Sequence, residues 1–213
     1  MVLKSYNHFM IEIISTLENV YNEKNQDIKE KLRSFREKNK KGIKMELVFC
    51  LLTPQSEAKK CWSAVKKIEK QKFPLEEKII LKCLDGVRFK FKKASYVKQT
   101  LENFDNIYRR IKREKDYFKL REYLVKNIKG IGWKEASHFL RNIGKGDNFA
   151  ILDRHILNCL RRYKVIKKIP GNISKKIYFK IENKIKKFSV RLKIPLSHLD
   201  FLFWYIEKGG IFK

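Results

Sequence analysis

The sequence predicts an all-α protein, and three observations point there. Apolar residues recur at helical spacing through most of the 213 residues, as in Met10, Ile13, Ile14 and Leu17. The four prolines and nine glycines fall almost entirely between these stripes, where they act as breaks. Sustained period-two alternation is missing except in the short VRFKF at 87–91, the only strand-like stretch. About ten helices are expected.

Taken in order, the first helix is centred on the 10–17 stripe. Apolar faces then run through 44–52, 57–69, 75–84 and 93–104. Further faces cover 115–128, 134–143, 154–163, 174–188 and 197–207. EKNKKGIK at 37–44 and IGKGDN at 143–148 read as linkers, being polar and holding three of the glycines. They divide the chain into a central helical subdomain, 45–148, and a second subdomain built from both termini, 1–44 plus 149–213. That arrangement would let a site form in a cleft between the two.

Composition narrows the function. The 51 lysines and arginines against 23 acidic residues give a formal charge of +28, a field suited to polyanions, nucleic acid first and anionic membrane second. A lysine-rich, heat-adapted composition would account for part of this charge without any polyanion. With 43% hydrophobic residues, the chain can bury a real core and is no disordered tail. Cys50, Cys61, Cys83 and Cys159 form no CxxC pair, so no zinc or iron–sulfur ligand set is recognisable and no metal site or cofactor is expected. They read as buried free thiols in a reducing compartment. The N-terminal stretch carries Asn, His and Glu, unlike a signal peptide, and nothing approaches a membrane span. A soluble cytoplasmic protein is expected.

The densest chemical signal is IKGIGWKEASHFLRNIG, from residue 128 onward. One helix ends near Ile128, a tight turn uses Gly130 and Gly132, and a second helix starts at Trp133 with Ala136, Phe139 and Leu140 on its apolar face. Such a hairpin aims backbone N–H groups outward at a helix N-terminus, which suits a phosphate. As a lone motif it serves equally as an ordinary turn between helices. Lys134, however, sits in the first turn of the second helix, where the macrodipole is unfavourable to a cation. That field lowers the lysine's pKa and favours the free amine, the form that attacks carbon. Nineteen positions later, Asp153 opens the ILDRHIL helix among apolar residues. It can cap that helix, project charge toward Lys134, or do both.

KGIGWKEASHFLRN followed by AILDRHI resembles the helix–hairpin–helix DNA glycosylases. With the C-terminal FLFWYIEKGGIFK, the chain is similar over essentially its whole length to the archaeal type of 8-oxoguanine DNA glycosylase/AP lyase. Lys129 departs from the pattern, since many relatives carry proline there. The resemblance implies a bifunctional DNA repair enzyme. Lys134 would attack C1′ of the damaged nucleotide, expel the base and form a Schiff base. Asp153 would stabilise the cationic sugar and assist proton transfers. β-Elimination of the 3′-phosphate would then nick the strand.

Further site residues follow from the same resemblance. The amides of Gly130, Gly132 and Glu135 match the phosphate-binding positions. His155 matches a position that contacts the DNA backbone, though a histidine in a capping region explains it equally well. In LLTPQSEAKKCW, Gln55 would fill the gap left by the flipped base; the same residues could be merely a helix start with proline in its first turn. Trp204 and Phe91, the latter before Phe89, resemble the pair that stacks on the base, whereas Phe201, Phe203 and Tyr205 are assigned to the core. The terminal carboxylate of Lys213 would contact the base, accepting from N–H groups on guanine's Watson–Crick edge. The expected partner is double-stranded DNA containing 8-oxoguanine, with no membrane, and the chain is expected to act as a monomer.

Two other readings stand beside this one. Thymine-glycol and adenine glycosylases of the same superfamily typically carry a C-terminal cysteine-ligated cluster, and no cysteine follows Cys159. A non-enzymatic helix–hairpin–helix DNA-binding protein would use the hairpin only for the backbone and would leave Lys134 and Asp153 without a purpose.

Overall fold

A computed structural model describes residues 2–210, with side chains from Ile13 onward. Among the described residues there are eleven α-helices and no strand. The chain divides into two compact units, one of Met1–Ser34 with Asp147–Lys213 and one of Phe35–Gly146.

The Phe35–Gly146 unit is organised around α2 (Lys40–Leu52), buried at nine positions from Ile43 to Leu52. A helix apolar on nearly every side has to be surrounded, and α3 (Ala58–Glu69), α5 (Lys90–Glu102) and α8 (Trp133–Asn142) pack against it. α4 (Glu77–Cys83) packs on α5, and α7 (Tyr117–Asn127) on α8. The one acid inside α2, Glu46, is 1% exposed and accepts from Asn142 Nδ2 of α8 at 2.9 Å, with Lys38 Nζ 3.6 Å from its other oxygen. This buried polar link pins α8 to the centre of its unit, since breaking it would take a hydrogen bond from a desolvated carboxylate.

The other unit contains α1 (Val2–Arg36) as far as Ser34, together with α9 (Arg154–Arg162), α10 (Lys175–Arg191) and α11 (Leu196–Lys208). Tyr163, just past α9, stacks on Phe203 of α11 with ring centroids 5.5 Å apart, and Tyr21 of α1 meets His198 Nδ1 at 2.8 Å. Glu182, buried in α10, accepts the N–H of Ala150 at 3.0 Å, while Tyr178 Oη donates to the Ala150 carbonyl at 2.5 Å. Two side chains of α10 thereby fix the irregular segment that leads into Asp153.

Several expectations need correction. α6 (Phe104–Arg113) follows α5 after a single residue and has its own buried face in Phe104, Ile107 and Ile111, so a further helix occupies the gap between the expected 93–104 and 115–128 stripes. VRFKF is not a strand: Phe89 adopts a left-handed backbone and α5 begins at Lys90. EKNKKGIK is mostly helical, because Asn39 caps α2 through its side chain on the Gly42 N–H at 2.9 Å. α1 runs far beyond residue 17, buried again at Ile28, Leu32 and Phe35, with the polar stretch between them exposed. Tyr205 is half-exposed rather than core, and the Lys24 ammonium lies 5.1 Å from its ring centre; Phe201 and Phe203 are fully buried as expected.

Candidate active site

The hairpin forms as its glycines require. α7 ends at Asn127, Ile128 turns extended, and the Ile131 N–H closes onto the Ile128 carbonyl at 3.2 Å. Gly130 has φ +87°, and a Cβ there would lie 2.6 Å from Tyr96 Cδ2 and 3.2 Å from Leu51 Cδ2. Both conformation and space exclude a side chain. Gly132 differs, being extended with φ −96°; what it offers is room, since a Cβ would approach Glu135 Oε2 to 3.0 Å.

Glu135 organises the start of α8. Its Oε2 accepts the Gly132 N–H at 3.2 Å, the backward half of a capping box, and its Oε1 lies 3.0 Å from Lys134 Nζ. Lys134 occupies the second position of α8 with its side chain 23% exposed. The helix-end field that disfavours an ammonium there is worth ~0.3–1 kcal/mol. A carboxylate at this distance acts in the opposite sense and more strongly before solvation is deducted. In the protein without DNA, therefore, Glu135 opposes the dipole effect expected from sequence. It also supplies the Gly132 amide with an acceptor that a phosphate would have to displace.

Gln55, Phe89 and Phe91 belong to the same unit as Lys134. Thr53–Ser56 is a turn between α2 and α3 rather than the start of a helix, for α3 begins at Ala58 after Glu57. Gln55 is exposed at its tip with φ +54°. Phe91, in the first turn of α5, is 69% exposed, and Phe89 is 54% exposed with φ +58°. Large apolar rings left this open are the exception in a structure whose other phenylalanines are mostly buried.

The other unit carries Asp153, His155 and Trp204. Asp153 is the N-cap of α9, its Oδ1 accepting the Ile156 N–H at 2.8 Å. Its carboxylate is half-buried. His155, in the first turn of the same helix, meets Trp204 of α11 edge-on with centroids 5.0 Å apart, so both are half-buried in one aromatic contact. Behind them, burial pushes the Cys159 thiol up to about 12, the Glu207 carboxylate adding to the effect. Glu207 also pairs with Arg162 at 2.6 Å. Lys213 lies outside the described residues.

Sequence reasoning missed the supports of this machinery. Glu135 was expected only for its amide, while its carboxylate holds both Gly132 and Lys134. The pair of Glu46 with Asn142 at the end of α8, and Glu182 and Tyr178 behind Ala150, left no mark that was read. The signal for Glu46 was available: it is a lone acid in the apolar run KMELVFCLL.

Comparison with known proteins gives a consistent result. Residues 10–194 match a family model described as 8-oxoguanine DNA glycosylase. The 8-oxoguanine DNA glycosylase/AP lyase of Fusobacterium nucleatum is 40% identical, covering 95% of this chain and 98% of the relative. That of Methanocaldococcus jannaschii is 38% identical over 94% of this chain and 99% of the relative. A crystal structure of the M. jannaschii 8-oxoguanine glycosylase/lyase in complex with a 15mer DNA containing 8-oxoguanine superposes with a TM-score of 0.88 at 34% identity, covering 95% of this chain and 100% of that one. The Thermotoga maritima 8-oxoguanine DNA glycosylase superposes with a TM-score of 0.83 at 33% identity, covering 96% of this chain and 100% of the other.

Proposed function

The chain belongs to the 8-oxoguanine DNA glycosylase family, and we propose that it excises 8-oxoguanine from double-stranded DNA through a covalent lysine intermediate and then cleaves the strand 3′ to the abasic site. The observation that carries this reading is Lys134: an amine in the first turn of the helix that follows a glycine hairpin, beside backbone N–H groups suited to a phosphate.

In this reading Lys134 Nζ, as free amine, bonds to C1′ while the C1′–N9 bond breaks and its electron pair leaves with the base. The Asp153 carboxylate stabilises the positive charge that develops on the sugar. Opening of the ring at C1′–O4′ converts the adduct to a protonated imine. Loss of a C2′ proton then expels the 3′-phosphate, and water hydrolyses the imine to release the lysine. An imine requires an amine nucleophile, so the same residue accounts for both excision and strand cleavage.

The DNA contacts follow the same division of labour. Gly130, Gly132 and Glu135 offer amides to a phosphate, and His155 offers a backbone contact. Gln55 fills the vacated position in the duplex, and Phe91 and Trp204 receive the everted base, with the Lys213 carboxylate on its hydrogen-bonding edge. The net charge of +28 supplies non-specific affinity for the backbone. The test is product analysis on a duplex with a single 8-oxoguanine. Release of the free base with a nick carrying a 3′ unsaturated aldehyde supports the reading; binding without base release contradicts it.

A further inference from the structure

One buried ammonium holds the Gln55 turn. Lys93, in the first turns of α5, is 5% exposed, and its Nζ donates to the carbonyls of Leu52 and Pro54, both at 2.7 Å, and to Ser56 Oγ at 3.0 Å. A lysine has three N–H donors, so these bonds use all of them. The same Ser56 oxygen accepts the backbone N–H of Arg88 at 3.0 Å. Lys93 and Ser56 thus tie two segments far apart in sequence, the turn at 53–56 and the stretch from Arg88 into α5.

Both tied segments hold a residue in an unfavourable backbone conformation. Gln55 and Phe89 have φ +54° and +58°, a left-handed region that is unfavourable for a side-chain-bearing residue and persists only where surroundings enforce it. Burying a lysine is itself expensive unless every proton is satisfied. Desolvation holds the Lys93 ammonium below its ordinary range, with Lys134 and Arg88 acting in the same sense against the Cys61 thiol, so the clasp lies within the electrostatic reach of Lys134. Strain and burial together mark a place where geometry is being held at a cost.

We propose that Lys93 is a positioning residue for base eversion: with Ser56 it locks the Gln55 turn and the Arg88–Phe91 segment into one rigid piece, so that the residue entering the duplex and the ring receiving the base keep a fixed spacing. This rests on the reading of Gln55 and Phe91 given above. Lys93 touches neither base nor sugar in this account. It sets where the residues that do so stand.

The test compares wild type, Lys93→Met and the milder Ser56→Ala. Three readouts are taken: single-turnover excision of 8-oxoguanine, cleavage of a preformed abasic site, and fluorescence of a 2-aminopurine placed beside the lesion. Lys93→Met removes three hydrogen bonds from a charged donor, and excision is expected to fall about tenfold or more, against several-fold for Ser56→Ala. The eversion signal falls with excision, while abasic-site cleavage, which has no base to receive, stays within about twofold. Equal losses in excision and cleavage, or excision unchanged in a folded variant, overturn the proposal; if Lys93→Met does not fold, Ser56→Ala decides alone. Failure of the wild type to excise would instead contradict the glycosylase reading itself.

Discussion

The carboxylate of Glu135 bridges two groups of the hairpin, taking the Gly132 N–H at 3.2 Å and lying 3.0 Å from Lys134 Nζ. The residue beside the proposed nucleophile is thus both a helix cap and a counter-charge. Removing the charge while keeping an acceptor separates these roles. In Glu135→Gln the amide oxygen can still accept from Gly132, but the negative charge 3.0 Å from Lys134 Nζ is gone. Single-turnover excision should change while the melting temperature stays nearly the same, because only the charge beside Lys134 is altered. Excision unchanged in Glu135→Gln would mean that the pair has no bearing on the amine's reaction.

Gly130 is the position where the hairpin admits no side chain. Gly130→Ala would impose strain at φ +87° and drive a Cβ into Tyr96. A loss of about 1–3 kcal/mol in stability is expected, read from chemical denaturation, with weaker binding to undamaged duplex because the amides are displaced. Gly132→Ala meets only the movable end of Glu135 and should cost less.

Asp153 has a structural duty that can be kept while its charge is removed. Asparagine caps helices about as well as aspartate, so Asp153→Asn should retain the bond to the Ile156 N–H and the melting temperature. Without a carboxylate to oppose the cationic sugar, single-turnover excision should drop about a hundredfold or more while duplex binding is nearly unchanged. Asp153→Ala should lose both, including about 1 kcal/mol of stability. Equal losses in binding and excision for Asp153→Asn would leave only the capping role.

The four cysteines are buried and free. Burial raises Cys61 from an ordinary 9.0 to about 11 and Cys159 to about 12, so both remain thiols at neutral pH. An aromatic disulfide reagent at pH 8 should titrate none in the native protein and all four after denaturation. For these acids the fold favours the protonated form. Their contribution to stability is therefore complete below pH 9 and declines as pH rises from there toward 11, where the unfolded chain releases its protons first. Denaturant midpoints that do not fall across that range would contradict the assignment.

What could be seen in the sequence was whatever leaves a local mark. The helical stripes, the glycine hairpin and the cap at Asp153 each depend on residues within a turn or two of one another. The helix at Phe104–Arg113 escaped because its buried face is only Phe104, Ile107 and Ile111 among mostly polar and charged neighbours, too sparse a stripe to stand out after Asn103 ends α5. VRFKF alternates like a strand, yet Arg88 bonds Ser56, 32 positions earlier, and the backbone turns left-handed at Phe89. Lys93 is one of 51 basic residues, and only its carbonyl partners about forty positions away distinguish it. Glu46 finds Asn142 across 96 positions. Contacts of that span carry no periodicity, so packing alone reveals them.

The central claim is that the Lys134 amine bonds to the sugar of the damaged nucleotide, and an imine can be captured by reduction. Wild-type protein incubated with an 8-oxoguanine duplex and borohydride should give a stable protein–DNA crosslink that maps by peptide sequencing to Lys134, and Lys134→Gln should give none. A crosslink of undiminished yield in the Lys134→Gln protein, or wild-type excision that never traps, would contradict the account.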